Sequence, residues 1–284
     1  MITDLIIPPN KETKFIFFSG KGGVGKSTMS CSTAAWLAKK GYKTLLVTTD
    51  PAPNLSDIFK QKIGSKITRI KDIKNLSAIE IDPDVATREY KDRVIAPMRD
   101  LLDEKNLMVI SEQLNSPCVS EVAAFDKFIE FMDVPEHDVV IFDTAPTGHT
   151  IRLLELPSGW STTLKENAST CIGPGASLQT AKAKYERAIL YLQDSKKTAF
   201  IFVLRPENSS ILETKRSTAA LEDLGIKTSL LIVNGIMPKD ACTDDFFKGK
   251  SDEEQKMIDK IEDEFKIEKI FFPLMDSLQG GGST

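Results

Sequence analysis

The sequence predicts an α/β fold: a mostly parallel β-sheet with helices on both faces, plus an inserted helical layer. Three observations carry that expectation. Short apolar, β-branched runs such as KFIFF at 14–18, TLLVTT at 44–49 and DVVIF at 138–142 have the length and composition of buried parallel strands. Stretches with helical spacing of apolar residues separate these runs, and such alternation is what a parallel sheet covered on both faces requires. The first run also breaks directly into Gly20-Lys21-Gly22-Gly23-Val24-Gly25-Lys26-Ser27, which fits G-x-x-x-x-G-K-[ST] between a strand and a helix.

In chain order, residues 1–13, with Pro8-Pro9, are expected to be a loose lead-in. Residues 14–276 form one domain, and the glycine-rich 277–284 a flexible tail. A helix runs from Lys26 to Lys40 and stops at Gly41, with Met29, Thr33, Trp36 and Leu37 on one face. Thr44–Thr49 and Leu76–Ile81 read as strands. Asp82-Pro83 supplies an N-cap and a proline at the first helical position. Ala86, Tyr90, Val94, Met98 and Leu101 follow at helical spacing, with a kink or division at Pro97. Ser120 starts a second helix, with Val122, Phe125, Ile129 and Met132 on one face. These two helices and the loop between them make the inserted layer around 83–132.

Asp138–Phe142 is a strand ending at Asp143. Thr144–His149 is a polar turn, and Ile151–Leu156 a short helix. The segment 157–193 begins irregular and becomes helical over Ser177–Gln193. Thr198–Leu204, Thr228–Val233 and Lys269–Phe272 are the remaining strands, and Ile211–Leu224 is a helix ended by Gly225. Ser251-x-x-Glu254 reads as a capping box that opens a helix carrying Met257, Ile258, Ile261 and Phe265.

Several function classes are excluded by bulk properties. Charges are mixed and the net charge is −4, which argues against a nucleic-acid binder relying on global basicity. No apolar run approaches a bilayer span, and the first residues lack a signal peptide's basic region and apolar core. A cytoplasmic protein without direct membrane insertion is expected, peripheral to a membrane only through a partner. Cys31, Cys118, Cys171 and Cys242 form no C-x-x-C, so free thiols are expected rather than a zinc knuckle or redox pair. Cys31 is placed on the first helix as a packing residue.

The glycine-rich loop is built to capture phosphate. Glycines let consecutive backbone N–H groups point at one polyphosphate, and the next helix aims its positive end at the same charge. Candidate nucleotide contacts run along Gly20–Ser27 and into Thr28. Lys26 would reach the terminal phosphates, and Ser27 would ligate Mg²⁺. Asp50 and Asp143 each end an apolar strand and are candidate Mg²⁺ residues through water, or else turn caps. Asp57 would either polarise the attacking water or start a helix before Ile58. The segments at 19–27, 50–57 and 143–149, together with Asn234, all follow strands and should converge on one rim.

KGGVGK at 21–26 resembles the deviant Walker A motif of the SIMIBI class of dimeric ATPases. DPAPNLSD at 50–57 resembles switch I, and DTAPTGHTIRLL at 143–154 resembles switch II. These blocks are similar to the branch holding the ArsA-type arsenite-stimulated ATPases and the tail-anchored-protein targeting ATPases, over residues 14 to 272. The resemblance implies a homodimer in which Lys21 crosses to the partner's ATP, a catalytic Asp57, an adenine-reading Asn234, and Pro273 in an adenine-side loop. SPCVSEVAAFD at 116–126, LPSGW at 156–160 and CIGP at 171–174 are closer to ArsA. They imply Cys118 and Cys171 as ligands for As(III) or Sb(III), with His149 as a coupling residue and a membrane efflux pump as partner; spacing alone links neither cysteine to the other. ArsA carries two fused halves with a P-loop each, whereas this chain has one, so two chains are expected to pair. Cys242 lacks the second cysteine of the targeting ATPases' zinc motif. The alternative function is a cytosolic targeting ATPase for tail-anchored proteins. A partitioning ATPase of the same class often ends in a membrane-binding amphipathic helix, and none is visible in this sequence.

Overall fold

The computed structural model describes residues 2–8, 12–48, 55–99, 102–115, 117–133, 136–144 and 187–275. The elements are α1 (Ile2–Ile6), β1 (Lys14–Ser19), α2 (Lys26–Lys39), β2 (Thr44–Thr48), α3 (Leu55–Ile58), β3 (Thr68–Arg69), β4 (Leu76–Glu80), α4 (Pro83–Ile95), α5 (Glu104–Gln113), α6 (Pro117–Glu130), β5 (Val139–Asp143), β6 (Thr198–Leu204), α7 (Asn208–Asp223), β7 (Thr228–Ile236), α8 (Asp245–Glu264) and β8 (Lys269–Pro273). The eight strands form one sheet in the order β3-β4-β2-β5-β1-β6-β7-β8. Every neighbouring pair is parallel except β3 with β4. Every residue of β1, β2, β5 and β6 is buried, which is why these strands read as continuous apolar runs rather than alternating ones.

Strand alternation sends successive side chains into two cores. On one face Phe17 stacks on Phe142 at 4.7 Å and on Phe200 at 4.6 Å between ring centroids. Phe128 of α6 tilts onto Phe17 and Phe142. Each such ring contributes on the order of 2–3 kcal/mol by its burial. On the other face Ile16, Phe18, Leu46 and Ile141 pack with Ala34 and Leu37 of α2.

The buried stripe of α2 is Ser30, Cys31, Ala34, Leu37 and Ala38. That corrects the expected face: Trp36 is 36% exposed, with the Lys40 ammonium 5.6 Å from its ring. Small residues let α2 lie close on the sheet, and contact distance selects them over the bulkier set.

Other differences have equally local causes. The lead-in is not wholly loose, because α1 packs Leu5 and Ile6 against the second core. Pro97 divides its segment as expected: α4 stops at Ile95 and a single 3₁₀ turn, Ala96–Met98, follows. The loop expected between the two inserted helices contains α5, capped by Asp103 accepting from Asn106 N at 2.8 Å. The capping box at Ser251 is not used. α8 begins earlier, at Asp245, capped by Asp244, whose carboxylate accepts from Phe247 N at 2.9 Å, and Glu254 instead accepts from Met237 N at 2.9 Å. Within 145–186, the expected turn, the short helix and the start of the Ser177–Gln193 helix lie outside the described residues; 187–193 are helical.

From β1 the chain leaves through α2 to β2 on one side, and it returns on the other side at β6. The carboxyl end of β1 is therefore a topological switch point, where an open parallel sheet offers its ligand crevice.

Candidate functional site

The loop leaving β1 is shaped by four glycines. Gly20 (φ 145°) lies so close to β6 that a β-carbon there would run into the Val203 carbonyl oxygen. Gly25 (φ 96°) is the left-handed N-cap of α2, and a β-carbon would run into the Asn234 amide. A β-carbon on Gly22 or Gly23 would meet no heavy atom within 4 Å. The loop is thus pinned at both ends and open between them, the form of a cradle for an outside group. Lys26 is 5% exposed and curls inward, its Nζ donating to the Lys21 carbonyl at 3.4 Å. Lys21 points the other way and donates to Ser209 Oγ, in the first turn of α7, at 2.8 Å.

Parallel register brings the acidic end of β5 to this loop. Asp143 pairs with Phe18 of β1 and Thr48 of β2 and is 1% exposed. Thr144 Oγ1 donates to Phe18 O at 2.8 Å. Burial, and then the charge of Asp143, push the Cys31 thiol up to about 12. Cys31 is therefore a protonated packing group on α2, as expected. Ser27 stands in the first turn of α2, with its carbonyl accepting from Ser30 Oγ at 3.0 Å.

Asp57 is exposed on α3. Near it stands Glu80, the last residue of β4, which the sequence reading passed over although it ends an apolar run as Asp143 does. Burial raises the Glu80 carboxyl above the usual range, opposed by a hydrogen bond from the Ser56 backbone and supported by the negative charge of Asp57.

Asn234 of β7 donates from Nδ2 to Val24 O at 2.9 Å. One amide hydrogen thus braces the loop, leaving the carbonyl oxygen and second hydrogen to read a ligand. Asn234 and Gly25 share an open cleft with Thr28, Arg205, Phe272 and Pro273. Pro273 reaches it because Leu274 N donates to Ile236 O at 2.7 Å, tying the chain after β8 to the end of β7. Arg205 was not anticipated; its guanidinium lies 3.4–3.5 Å from the position a β-carbon would take on Gly235 (φ 74°). A cation one residue past an apolar strand, at the same rim as the other strand ends, was the available signal.

Asp50, His149 and Cys171 lie outside the described residues, as does the side chain of Cys118, whose backbone is in the first turn of α6. Among the described residues no group of three or more His, Cys, Asp or Glu is placed to hold a metal ion. Cys242 is partly buried, with Sγ 3.4 Å from Pro238 O. Among the described residues no helix is long and apolar enough to cross a membrane.

The model of the anion-transporting ATPase family matches residues 13–174 and 167–281. The chain is 60% identical over 262 residues to a putative arsenical pump-driving ATPase of Halobacterium salinarum, covering 92% of this chain and 41% of that protein. It is 41% identical over 245 residues to the arsenical pump-driving ATPase of Escherichia coli, covering 84% of this chain and 41% of that protein. It is 35% identical over 297 residues to ATPase ASNA1 homolog 1 of Paramecium tetraurelia, covering 94% and 88%. The chain spans about two fifths of the length of the two pump-driving relatives.

Proposed function

The chain belongs to the anion-transporting ATPase family, and from that membership we propose that it hydrolyses ATP as a pair of chains and couples turnover to As(III) or Sb(III) for a membrane efflux pump. The observation that carries the ATP reading is the pinned, open glycine cradle with Lys26 inside it and the Asn234–Arg205–Pro273 cleft alongside. Backbone N–H groups of residues 22–25 would take the phosphates, and Lys26 would exchange the Lys21 carbonyl for phosphate oxygen. The cleft would take the base, with the remaining amide groups of Asn234 hydrogen-bonding its edge.

These residues fit a magnesium nucleotide. Ser27 opens α2 beside the open cradle and Asp143 ends β5, paired with the strand that leads into it, and bound magnesium would neutralise charge on the β- and γ-phosphate oxygens. Ser27 would hold it directly, with Asp50 and Asp143 acting through water. Asp57 would orient the attacking water. Lys21 would leave Ser209 and stabilise developing charge on the partner chain's nucleotide, as a finger residue does.

The metalloid reading is supported by the names of the pump-driving relatives and by ligand chemistry. As(III) and Sb(III) are thiophilic, and Cys118 and Cys171 are the thiols that the family resemblance assigns to them. His149, inside the stretch that resembles switch II, would couple that site to nucleotide. Steady-state ATPase rates measured with and without antimonite test this. We expect stimulation in the wild type and its loss in Cys118→Ser/Cys171→Ser. No response in the wild type, or an unchanged response in the double variant, overturns the metalloid assignment while leaving ATP hydrolysis standing.

One observation favours a second reading, a targeting factor for hydrophobic tail segments. α5 exposes Met108 (66%) and Val109 (53%), as a surface that receives apolar segments does. On the neighbouring helical segment 117–132, by contrast, Val119, Ala123, Ile129 and Met132 are buried. Copurification of a tail-anchored substrate that Met108→Asp abolishes would move the assignment to this reading.

A further inference from the structure

Asp57 stands on α3, a helix of four residues, too short to hold its own shape. Its neighbour Ser56 supplies what the helix lacks. Ser56 Oγ accepts from Ile63 N at 3.1 Å and donates to Ile63 O at 3.3 Å, so one hydroxyl closes residues 56–63 into a loop. The backbone continues the closure, with Phe59 N donating to Leu55 O at 2.9 Å and Gln61 N to Ser56 O at 3.1 Å.

The closed loop is fastened to the sheet edge at separate points. The Gln61 side chain donates to Arg69 O at 2.8 Å and accepts from Lys71 N at 3.0 Å. Glu80 N, at the end of β4, donates to Gly64 O at 3.0 Å. Leu55 and Ile63, on either side of the closure, are 1% and 4% exposed and belong to the core cluster that includes Leu46 and Ala78. Asp57 therefore has an exposed carboxylate on a braced backbone.

We propose that Ser56 is a positioning residue for Asp57: its two-way hydrogen bond with the Ile63 backbone sets the segment that presents the Asp57 carboxylate for reaction. The proposal rests on the reading of Asp57 as the group that orients water. A hydroxyl suits the position because it donates and accepts at once; alanine does neither, and threonine does both. Misplacing a catalytic group by about 1 Å is enough for a loss on the order of 100-fold.

The test compares Ser56→Ala and Ser56→Thr with the wild type in the full chain, reading kcat, the KM for ATP, ADP affinity by calorimetry, and amide exchange at Ile63. In Ser56→Ala we expect faster exchange at Ile63, kcat reduced about 10- to 100-fold, and KM and ADP affinity within about twofold, because the phosphate cradle is untouched. Ser56→Thr is expected to restore both slow exchange and a kcat within about threefold of wild type. A general loss of folding would move ADP affinity and kcat together in both variants, which overturns the proposal. So does a wild-type kcat in Ser56→Ala despite accelerated Ile63 exchange, and so does unchanged exchange in that variant. A wild-type chain that hydrolyses no ATP overturns the functional reading itself, and it does so before any variant is compared.

Discussion

At the scale of single residues, Lys21 is where the proposed activity can be separated from the fold. Its side chain points away from its own loop: the ammonium reaches Ser209 on α7, an exposed hydrogen bond that contributes at most about 1 kcal/mol. Removing it should leave the fold intact. In Lys21→Ala we expect kcat to fall by about 100-fold or more while the melting temperature stays within about 2 °C, since a charge at the transition state is worth far more than an exposed contact. Wild-type turnover in that variant, measured at protein concentrations where chains pair, would contradict the trans-lysine reading. Lys26 was as legible as Lys21, because the motif fixes its position relative to the glycines. Arg205 and Glu80 were not. Each stands at the end of an apolar run, but which strand ends lie side by side is written in no local pattern.

At the scale of elements, helix boundaries show where local chemistry suffices and where it competes. Asp82 caps α4 as its dipeptide with Pro83 implies, accepting from Asp84 N at 2.8 Å and Val85 N at 3.2 Å. Ser251 and Glu254 have the spacing of a cap yet sit inside α8, because Asp244 caps an earlier start and Glu254 is drawn across to Met237 of the loop after β7. Two acceptable caps seven residues apart cannot be ranked by spacing. Urea denaturation separates them: Asp244→Ala should destabilise by about 1 kcal/mol, whereas Ser251→Ala, in a helix interior, should be neutral or stabilising by about 0.5 kcal/mol. The stripe of α2 was misjudged for a related reason. Helical spacing allowed two adjacent faces, and the sheet selected the one with small side chains.

At the scale of the whole molecule, the end opposite the phosphate loop carries a pH dependence of its own. His137, just before β5, accepts from Thr13 Oγ1 at its carbonyl. Burial lowers its pKa below the ordinary 6.5; Lys43 acts in the same direction, against Glu136 and Asp138. Between the lowered folded value and 6.5 the unfolded chain binds more protons than the folded one, so stability falls as pH falls through that window. His137→Gln should flatten this part of the profile, and urea midpoints between about pH 5 and 8 would show it; an equally steep fall in the variant assigns the dependence elsewhere. By itself the sequence determined the strands other than the two-residue β3, the glycine cradle, Lys26 and the acidic end of β5, because each follows from composition and spacing within a few residues. Only the tertiary structure decided that Asn234 braces the loop it was expected to serve and that Arg205 shares its cleft. Those contacts depend on parallel register and strand order, which join residues up to 210 positions apart through a core that no local pattern encodes.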